Sequence, residues 1–257
     1  MSIKAVFFDI DGTLVSLKTH KVPDSTRRAL ALLRSKGVKV FISSGRPFMA
    51  IDNLDDEVFD GYITVNGGIC YYEGEVIHRF PIPRSNVESW CRYTSENPVD
   101  CCMITEKYIY MNNISQAALD FFDLLDFKTP PVMSIESQLE VPVYQIVGMI
   151  PAGKDSEAMA ALPDCIFKRW HPSFADIIAK GSDKSRGMQA LLDHIGIGRE
   201  ECMAFGDGGN DIEMLDFAQI GVAMGGSGQE VTAHADYVTD SVDEDGIWNA
   251  LRHYGLI

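Results

Sequence analysis

Two short acidic clusters, each following an apolar run and each broken by glycine, hold the residue types with which this chain could do chemistry. The first is Asp9-Ile10-Asp11-Gly12-Thr13, after Ile3-Lys4-Ala5-Val6-Phe7-Phe8. The second is Gly206-Asp207-Gly208-Gly209-Asn210-Asp211, after Glu201-Cys202-Met203-Ala204-Phe205. Carboxylates gathered at a strand end are hard oxygen donors for a divalent cation, and one of them can also act as nucleophile or proton carrier. If the chain is still extended beyond Phe8, Asp9 and Asp11 face the same side. Gly12 then lets the backbone bend sharply around whatever they hold. A calcium-binding helix–loop–helix fits neither cluster, because the glycine is misplaced and a strand precedes each one.

Two further segments add to these. Ser43-Ser44-Gly45-Arg46-Pro47 closes another apolar run, and Lys184 opens a helical pattern ahead of the second cluster. A hydroxyl and free backbone amides can bind phosphoryl oxygens, and a lysine can neutralise their charge. Taken singly, an Asp-x-Asp-Gly or Ser-Gly stretch is an ordinary turn and a helix-start lysine an ordinary solvated side chain. Only their combination carries an argument.

The elements that must position these residues read as strand, helix, strand. After the first strand, Pro23-Asp24 opens a helix through Ala29, Leu30, Leu32 and Leu33, with Gly37 placed to end it. Strands follow at 38–43 and 62–65, and this spacing implies parallel crossovers and the start of a doubly wound sheet. The same grammar returns near the C-terminus. Ser182 or Asp183 can cap a helix with Met188, Leu191, Leu192 and Ile195 on one face, and strands at 201–205, 220–222 and 237–238 precede a closing helix at 248–253. Gly225-Gly226-Ser227-Gly228 lacks a full dinucleotide fingerprint and reads as a loop.

Between these blocks the pattern changes. Residues 84–181 contain a possible capping box Ser85-x-x-Glu88, a hairpin at 101–111, a helix at 116–125 and strands near 143–150, 165–170 and 175–178. This mixture suits an α+β insert with an antiparallel sheet. The pairs Phe121-Phe122 and Leu124-Leu125 read as core of that insert. The expected fold is α/β, a doubly wound parallel-sheet core at 1–83 and 182–257 interrupted by the insert at 84–181.

The 257 residues can bury a substantial core, and 46% hydrophobic with 23% charged residues is ordinary for a globular chain. A formal charge of −15 makes duplex nucleic acid an unfavourable partner. A small phosphate can still bind where amides, a cation or two and a metal create a local positive site. The six cysteines form no C-x-x-C pair and read as reduced structural thiols. No apolar run is long enough for a signal peptide or a membrane span, so the expected location is cytoplasmic. The six histidines form no ligand pattern, and most read as surface or structural residues.

In order and context, Asp9-x-Asp11-Gly12-Thr13, Ser44, Lys184 and Gly206-Asp207-Gly208-Gly209-Asn210-Asp211 resemble the four motifs of the haloacid dehalogenase (HAD) superfamily. The insert, Asn66-Gly67-Gly68 and Gly221-Val222-Ala223-Met224-Gly225 resemble its Cof-type phosphatase branch, which includes hexose phosphate phosphatases. The resemblance implies a Rossmann-like core, a mobile cap and a Mg²⁺ site. Under it Asp9 is the nucleophile that forms an aspartyl-phosphate, and Asp11 is the acid/base whose backbone carbonyl also helps bind the metal. Asp207 is a metal ligand, and Asp211 supports the metal directly or through water. Ser44 and Lys184 bind the phosphoryl group, with Ser43 and Lys180 as neighbouring alternatives. Gly12, Gly45, Arg46 and Asn210 contact the substrate's phosphate end, and Trp170 and His171 of the cap its leaving group.

The expected activity is Mg²⁺-dependent hydrolysis of a small phosphorylated metabolite, a sugar phosphate above others. A phosphomutase and a non-catalytic phosphometabolite sensor are the alternatives. Asp11 argues against dehalogenation, since dehalogenases of the family lack an aspartate there, and the lack of spans excludes a transport ATPase more firmly.

Overall fold

The computed structural model describes residues 2–124 and 127–257, without the side chains of Leu124 and Trp170. Leu125 of the expected Leu124-Leu125 core pair thus lies outside the described residues. Chain contacts divide the molecule into two compact units, residues 1–79 with 183–257, and residues 80–182. The break at 79/80 places Phe80–Pro83 with the insert, four residues earlier than the expected boundary.

The chain begins with β1 (Ala5–Phe8), α1 (Asp24–Ser35), β2 (Lys39–Ser43), β3 (Gly61–Thr64), β4 (Ile69–Tyr72) and β5 (Glu75–Arg79). The insert supplies α2 (Arg84–Glu96), β6 (Cys101–Thr105), β7 (Ile109–Met111), α3 (Gln116–Leu124), β8 (Val143–Gly148), α4 (Asp155–Ala160), β9 (Cys165–His171) and β10 (Phe174–Ala179). The first unit resumes with α5 (Lys184–Ile195), β11 (Cys202–Gly206), α6 (Ile212–Phe217), β12 (Ile220–Ala223), α7 (Gln229–Thr232), β13 (Tyr237–Val238) and α8 (Gly246–His253).

The first unit is one sheet in the order β13-β12-β11-β1-β2-β3-β4-β5. It is parallel from β13 to β3, while β4 and β5 pair antiparallel at one edge. Both faces of the parallel part are covered, as such sheets require. Along β1, Val6 and Phe8 join a core with Leu30 and Leu33 of α1 and Ile247 and Leu251 of α8. Ala5 and Phe7 join another with Met188 and Leu191 of α5 and Met214 and Leu215 of α6. Phe7 stacks on Phe41 at 4.8 Å and Phe8 on Phe205 at 5.1 Å, tying β1 to its two neighbours. Each such pair is worth about 0.5–1.5 kcal/mol beyond its burial.

Helix ends follow the expected signals in two places. Gly37 takes φ +77° just past α1, and the Asp183 side chain accepts from the Arg186 amide at 2.9 Å to cap α5. The capping box expected at Ser85 and Glu88 is not formed. Pro83 with ψ 133° occupies the N-cap, α2 begins at Arg84, and Glu88 pairs with Arg84 at 2.9 Å instead. A proline in extended geometry sets the helix start one residue before the serine.

The second unit is an antiparallel sheet, β7-β6-β8-β10-β9, packed by Trp90, Met103, Tyr110, Ile146 and Ile177. Phe121 and Phe122 are buried, as expected of core. The six cysteines are free, and all but Cys91 are buried. Among the described residues no helix is long and apolar enough to cross a membrane.

Candidate active site

Because β1 lies between β11 and β2 in parallel register, three loops leave the sheet side by side. Phe8 is in register with Phe205 on one side and Ile42 on the other. Asp9 follows directly, its amide donating to Phe205 O at 3.0 Å. The chain then turns, with Val15 N donating to Ile10 O at 2.8 Å and Gly12 at φ +91°. A β-carbon on Gly12 would collide with the Asp207 carboxylate. Glycine is thus needed here for both its backbone angle and its lack of a side chain. Thr13 adds a hydrogen bond across the same gap, Oγ1 to Asp207 Oδ1 at 2.9 Å.

Lys184, the first residue of α5, is fully buried, and its Nζ donates to Asp9 Oδ1 at 2.6 Å and Asp211 Oδ1 at 2.5 Å. The other oxygen of Asp211 accepts from the amides of Asp207 (3.0 Å) and Gly208 (2.9 Å). Asp211 thereby folds the glycine-rich turn around its own carboxylate. Lys180, the competing lysine, is exposed in the other unit.

The electrostatics of this cluster are unbalanced. Burial pushes the Asp9 carboxyl well above its ordinary value, and Asp211 and Asp207 add to the effect against the pull of Lys184. Asp207 is pushed up to about 6, by burial and then by Asp211. Burial works against the charged Lys184, yet Asp211 and Asp9 more than reverse this and hold its ammonium charged. One ammonium thus faces three carboxylates. Oxygen atoms of Asp9, Asp207 and Asp211 lie within 4.8 Å of one another, the one group of metal-ligand type among the described residues. The donor set, all hard oxygen with excess negative charge in a buried place, fits a divalent cation.

Asp11 does not join that cluster. The strand ends at Phe8, and the Asp11 carboxylate is held by Arg46, Nε to Oδ2 at 2.7 Å and Nη2 to Oδ1 at 2.8 Å. The condition for Asp9 and Asp11 to share a face, a chain still extended beyond Phe8, is not met by the strand, and the two carboxylates have different partners. Ser44 is buried, and its Oγ accepts from the Arg46 amide at 3.1 Å. The neighbouring Ser43 is also buried, with no hydrogen bond to its Oγ. Gly45 packs against Asn66, whose Oδ1 accepts from Asn210 Nδ2 at 3.1 Å.

Asp9, Lys184, Asp207 and Asp211 are therefore in direct contact or within metal-ligand range, with Asp11, Arg46, Ser44, Gly45 and Asn210 on the adjoining loops. His171, on β9 of the other unit, stacks on Phe174 at 4.4 Å, and its Nδ1 accepts from the Ser173 amide. Trp170 belongs to the same strand, its side chain lying outside the described residues. Sequence reasoning did not assign Thr13 or Asn66 to the site. Thr13 stands in the first acidic motif, and Asn66 in the Asn66-Gly67-Gly68 stretch that resembles the Cof-type branch, but neither carried a role.

Comparison with known proteins agrees with this geometry. A family model described as haloacid dehalogenase-like hydrolase matches residues 6–251. The putative phosphatase YkrA of Bacillus subtilis (strain 168) is 30% identical over 259 residues, spanning 100% of both chains. The solved structure of BT4131, a sugar phosphatase of HAD subclass IIB, is 43% identical with a TM-score of 0.90, over 99% of this chain and 100% of that one. That of BT1666 from Bacteroides thetaiotaomicron, among phosphatases of the same superfamily, is 34% identical with a TM-score of 0.90, over 100% and 96%. With its motif loops converging at the strand ends and a family match over nearly its whole length, the chain belongs to the haloacid dehalogenase-like hydrolases, in their Cof-type phosphatase branch.

Proposed function

We propose that the protein is a Mg²⁺-dependent phosphomonoester hydrolase that forms an aspartyl-phosphate on Asp9 and acts on a sugar phosphate. The observation that carries this reading is the buried Lys184 ammonium bridging Asp9 and Asp211, with Asp207 completing an acidic triad. Asp9, Asp207 and Asp211, with the Asp11 backbone carbonyl, would hold the cation. When bound, it supplies charge neutralisation for the phosphoryl oxygens and lets a dianion approach a carboxylate cluster.

The chain's own residues do the rest. An Asp9 carboxylate oxygen attacks phosphorus while the bond to the leaving oxygen breaks, and Asp11 delivers a proton to that oxygen. In the second step Asp11 takes a proton from water as the water oxygen bonds to phosphorus. The bond to Asp9 then breaks, releasing inorganic phosphate and restoring the carboxylate. Lys184, Ser44 and the Gly45 amide bind the phosphoryl oxygens, where charge is spread in the transition state. Asn210 orients the same group. The role proposed for the insert is selection of the leaving group. A sugar phosphate is favoured because BT4131, at 43% identity over the full chain, is named a sugar phosphatase.

The test is a phosphate-release screen over sugar phosphates, nucleotides, pyridoxal phosphate and small acid phosphates, with Mg²⁺ and with chelator. Release from hexose phosphates well above the other classes, abolished by chelation and by Asp9→Asn, is the expected result. Full activity in metal-free enzyme would remove the mechanism. Interconversion of sugar phosphate isomers without phosphate release would favour a mutase, and stoichiometric binding without turnover a sensor.

A further inference from the structure

Three successive residues after β3 occupy left-handed backbone geometry, Val65 at φ +47°, Asn66 at +52° and Gly67 at +92°. Glycine bears this freely and asparagine at modest cost, but a β-branched valine there is an outlier. Such strain persists where surrounding contacts over-determine it, and it concentrates at functional sites.

Several of the surrounding contacts lead to loops of the site. Val65 N donates to Arg46 O and Asn66 N to Ser44 O, each at 3.1 Å. A β-carbon on Gly67 would collide with the carbonyl of Asp183, the residue before Lys184. The buried Asn66 carboxamide accepts from Asn210 and lies where a β-carbon on Gly45 would come within 3.2 Å of it. One strained turn thus touches the Ser44–Arg46 loop, the start of α5 and the glycine-rich turn after β11.

We infer that Asn66 is a positioning residue, which sets the Gly45 amide and the Asn210 carboxamide at a fixed spacing for the phosphoryl group in flight. The inference rests on the phosphatase reading above. Phosphoryl transfer asks for little beyond placement and charge stabilisation, so a brace between two phosphoryl-binding loops acts on the transition state. Without the Asn66 carboxamide both loops relax, and turnover falls more than substrate binding.

The experiment compares the full chain with Asn66→Gly, Asn66→Ala, Asn210→Ala and the double variant Asn66→Gly/Asn210→Ala. Turnover of 4-nitrophenyl phosphate, inhibition by orthovanadate and Tm with and without Mg²⁺ are read for each. Asn66→Gly keeps the left-handed backbone accessible. It should lower kcat on the order of 10- to 100-fold with little change in KM, and weaken vanadate inhibition in parallel. The Mg²⁺-induced rise in Tm should stay as in wild type, because the acidic triad is untouched. Asn66→Ala should show the same loss of kcat and a lower Tm besides. Adding Asn210→Ala to Asn66→Gly should cost little more, since the two carboxamides act as one unit.

Wild-type kcat and vanadate inhibition in Asn66→Gly, or losses that simply multiply in the double variant, would overturn the inference. A vanished Mg²⁺ response in Asn66→Gly would overturn it too, showing general collapse of the site. If the wild type itself releases no phosphate, the phosphatase reading falls, and vanadate binding followed by thermal shift still decides whether Asn66 braces an oxyanion site.

Discussion

Arg46 grips both carboxylate oxygens of Asp11, Nε at 2.7 Å and Nη2 at 2.8 Å, while its Nη1 donates to Ala50 O at 3.0 Å. The guanidinium thereby ties the proposed acid/base to the loop after β2. Asn53 Nδ2 approaches the same carboxylate at 3.4 Å. The pair is partly exposed, so its stabilising worth is small and its value is geometric.

Removing that grip should therefore cost activity rather than stability. Arg46→Met is expected to lower kcat on a sugar phosphate about 10-fold or more, as expected for a mispositioned proton donor. A 4-nitrophenyl ester, whose leaving group needs little protonation, should lose less in the first step. Arg46→Lys should recover only part of the loss, because an ammonium cannot make the two parallel bonds. Equal losses on both substrates in the rate of phosphoenzyme formation, followed by rapid quench, would argue against a link to proton transfer.

The two N-terminal aspartates should fail differently. Asp9→Asn is expected to form no phosphoenzyme with any substrate. Asp11→Asn should lose roughly 10²- to 10⁴-fold in turnover, yet still show a stoichiometric burst with an aryl phosphate, since dephosphorylation becomes the slow step. Rapid-quench measurement of acid-stable, protein-bound phosphate separates the two. Phosphoaspartate in Asp9→Asn, or wild-type sugar phosphate turnover in Asp11→Asn, would reverse the assignments.

Gly12 combines a positive φ with contact against Asp207, so Gly12→Ala meets two penalties. The backbone term alone is about 1–3 kcal/mol. Moving the Asp207 carboxylate should in addition weaken metal binding. The expected result is a lower Tm together with a higher Mg²⁺ concentration for half-maximal activity. A variant with wild-type Mg²⁺ dependence would show that the turn can yield without disturbing Asp207.

Metal-free stability should depend on pH through Asp207. Its carboxyl is held at about 6 in the fold, above an ordinary value of 3.8, so the folded protein keeps the proton more tightly than the unfolded chain. Raising pH from about 4 through about 6 should then lower the metal-free Tm on this account, while below about 4 the penalty is absent. Asp9 acts in the same direction. A bound divalent cation offsets the penalty, so the Mg²⁺-induced rise in Tm should be larger near pH 7 than near pH 5. Scanning fluorimetry in chelator and in Mg²⁺ checks this, and a Tm increment that shrinks with rising pH would contradict it.

What the sequence determined by itself is local and periodic. The apolar run into Asp9, the turn at Gly12, the Gly37 stop and the Asp183 cap are set by continuous apolar patterning, backbone freedom and capping chemistry within a few residues. The order of the four motifs along the chain marked Asp9, Ser44, Lys184 and Asp207 before any fold was known. Local reasoning failed at Ser85 and Glu88, where the fixed φ of Pro83 started the helix one residue early. Only the tertiary structure decided who pairs with whom. Arg46 with Asp11, Thr13 with Asp207, and Asn66 with Asn210 are 35, 194 and 144 residues apart in sequence. They meet because parallel strands discharge all their carboxyl ends on one edge of the sheet, and no pattern within a single segment encodes which loops become neighbours there.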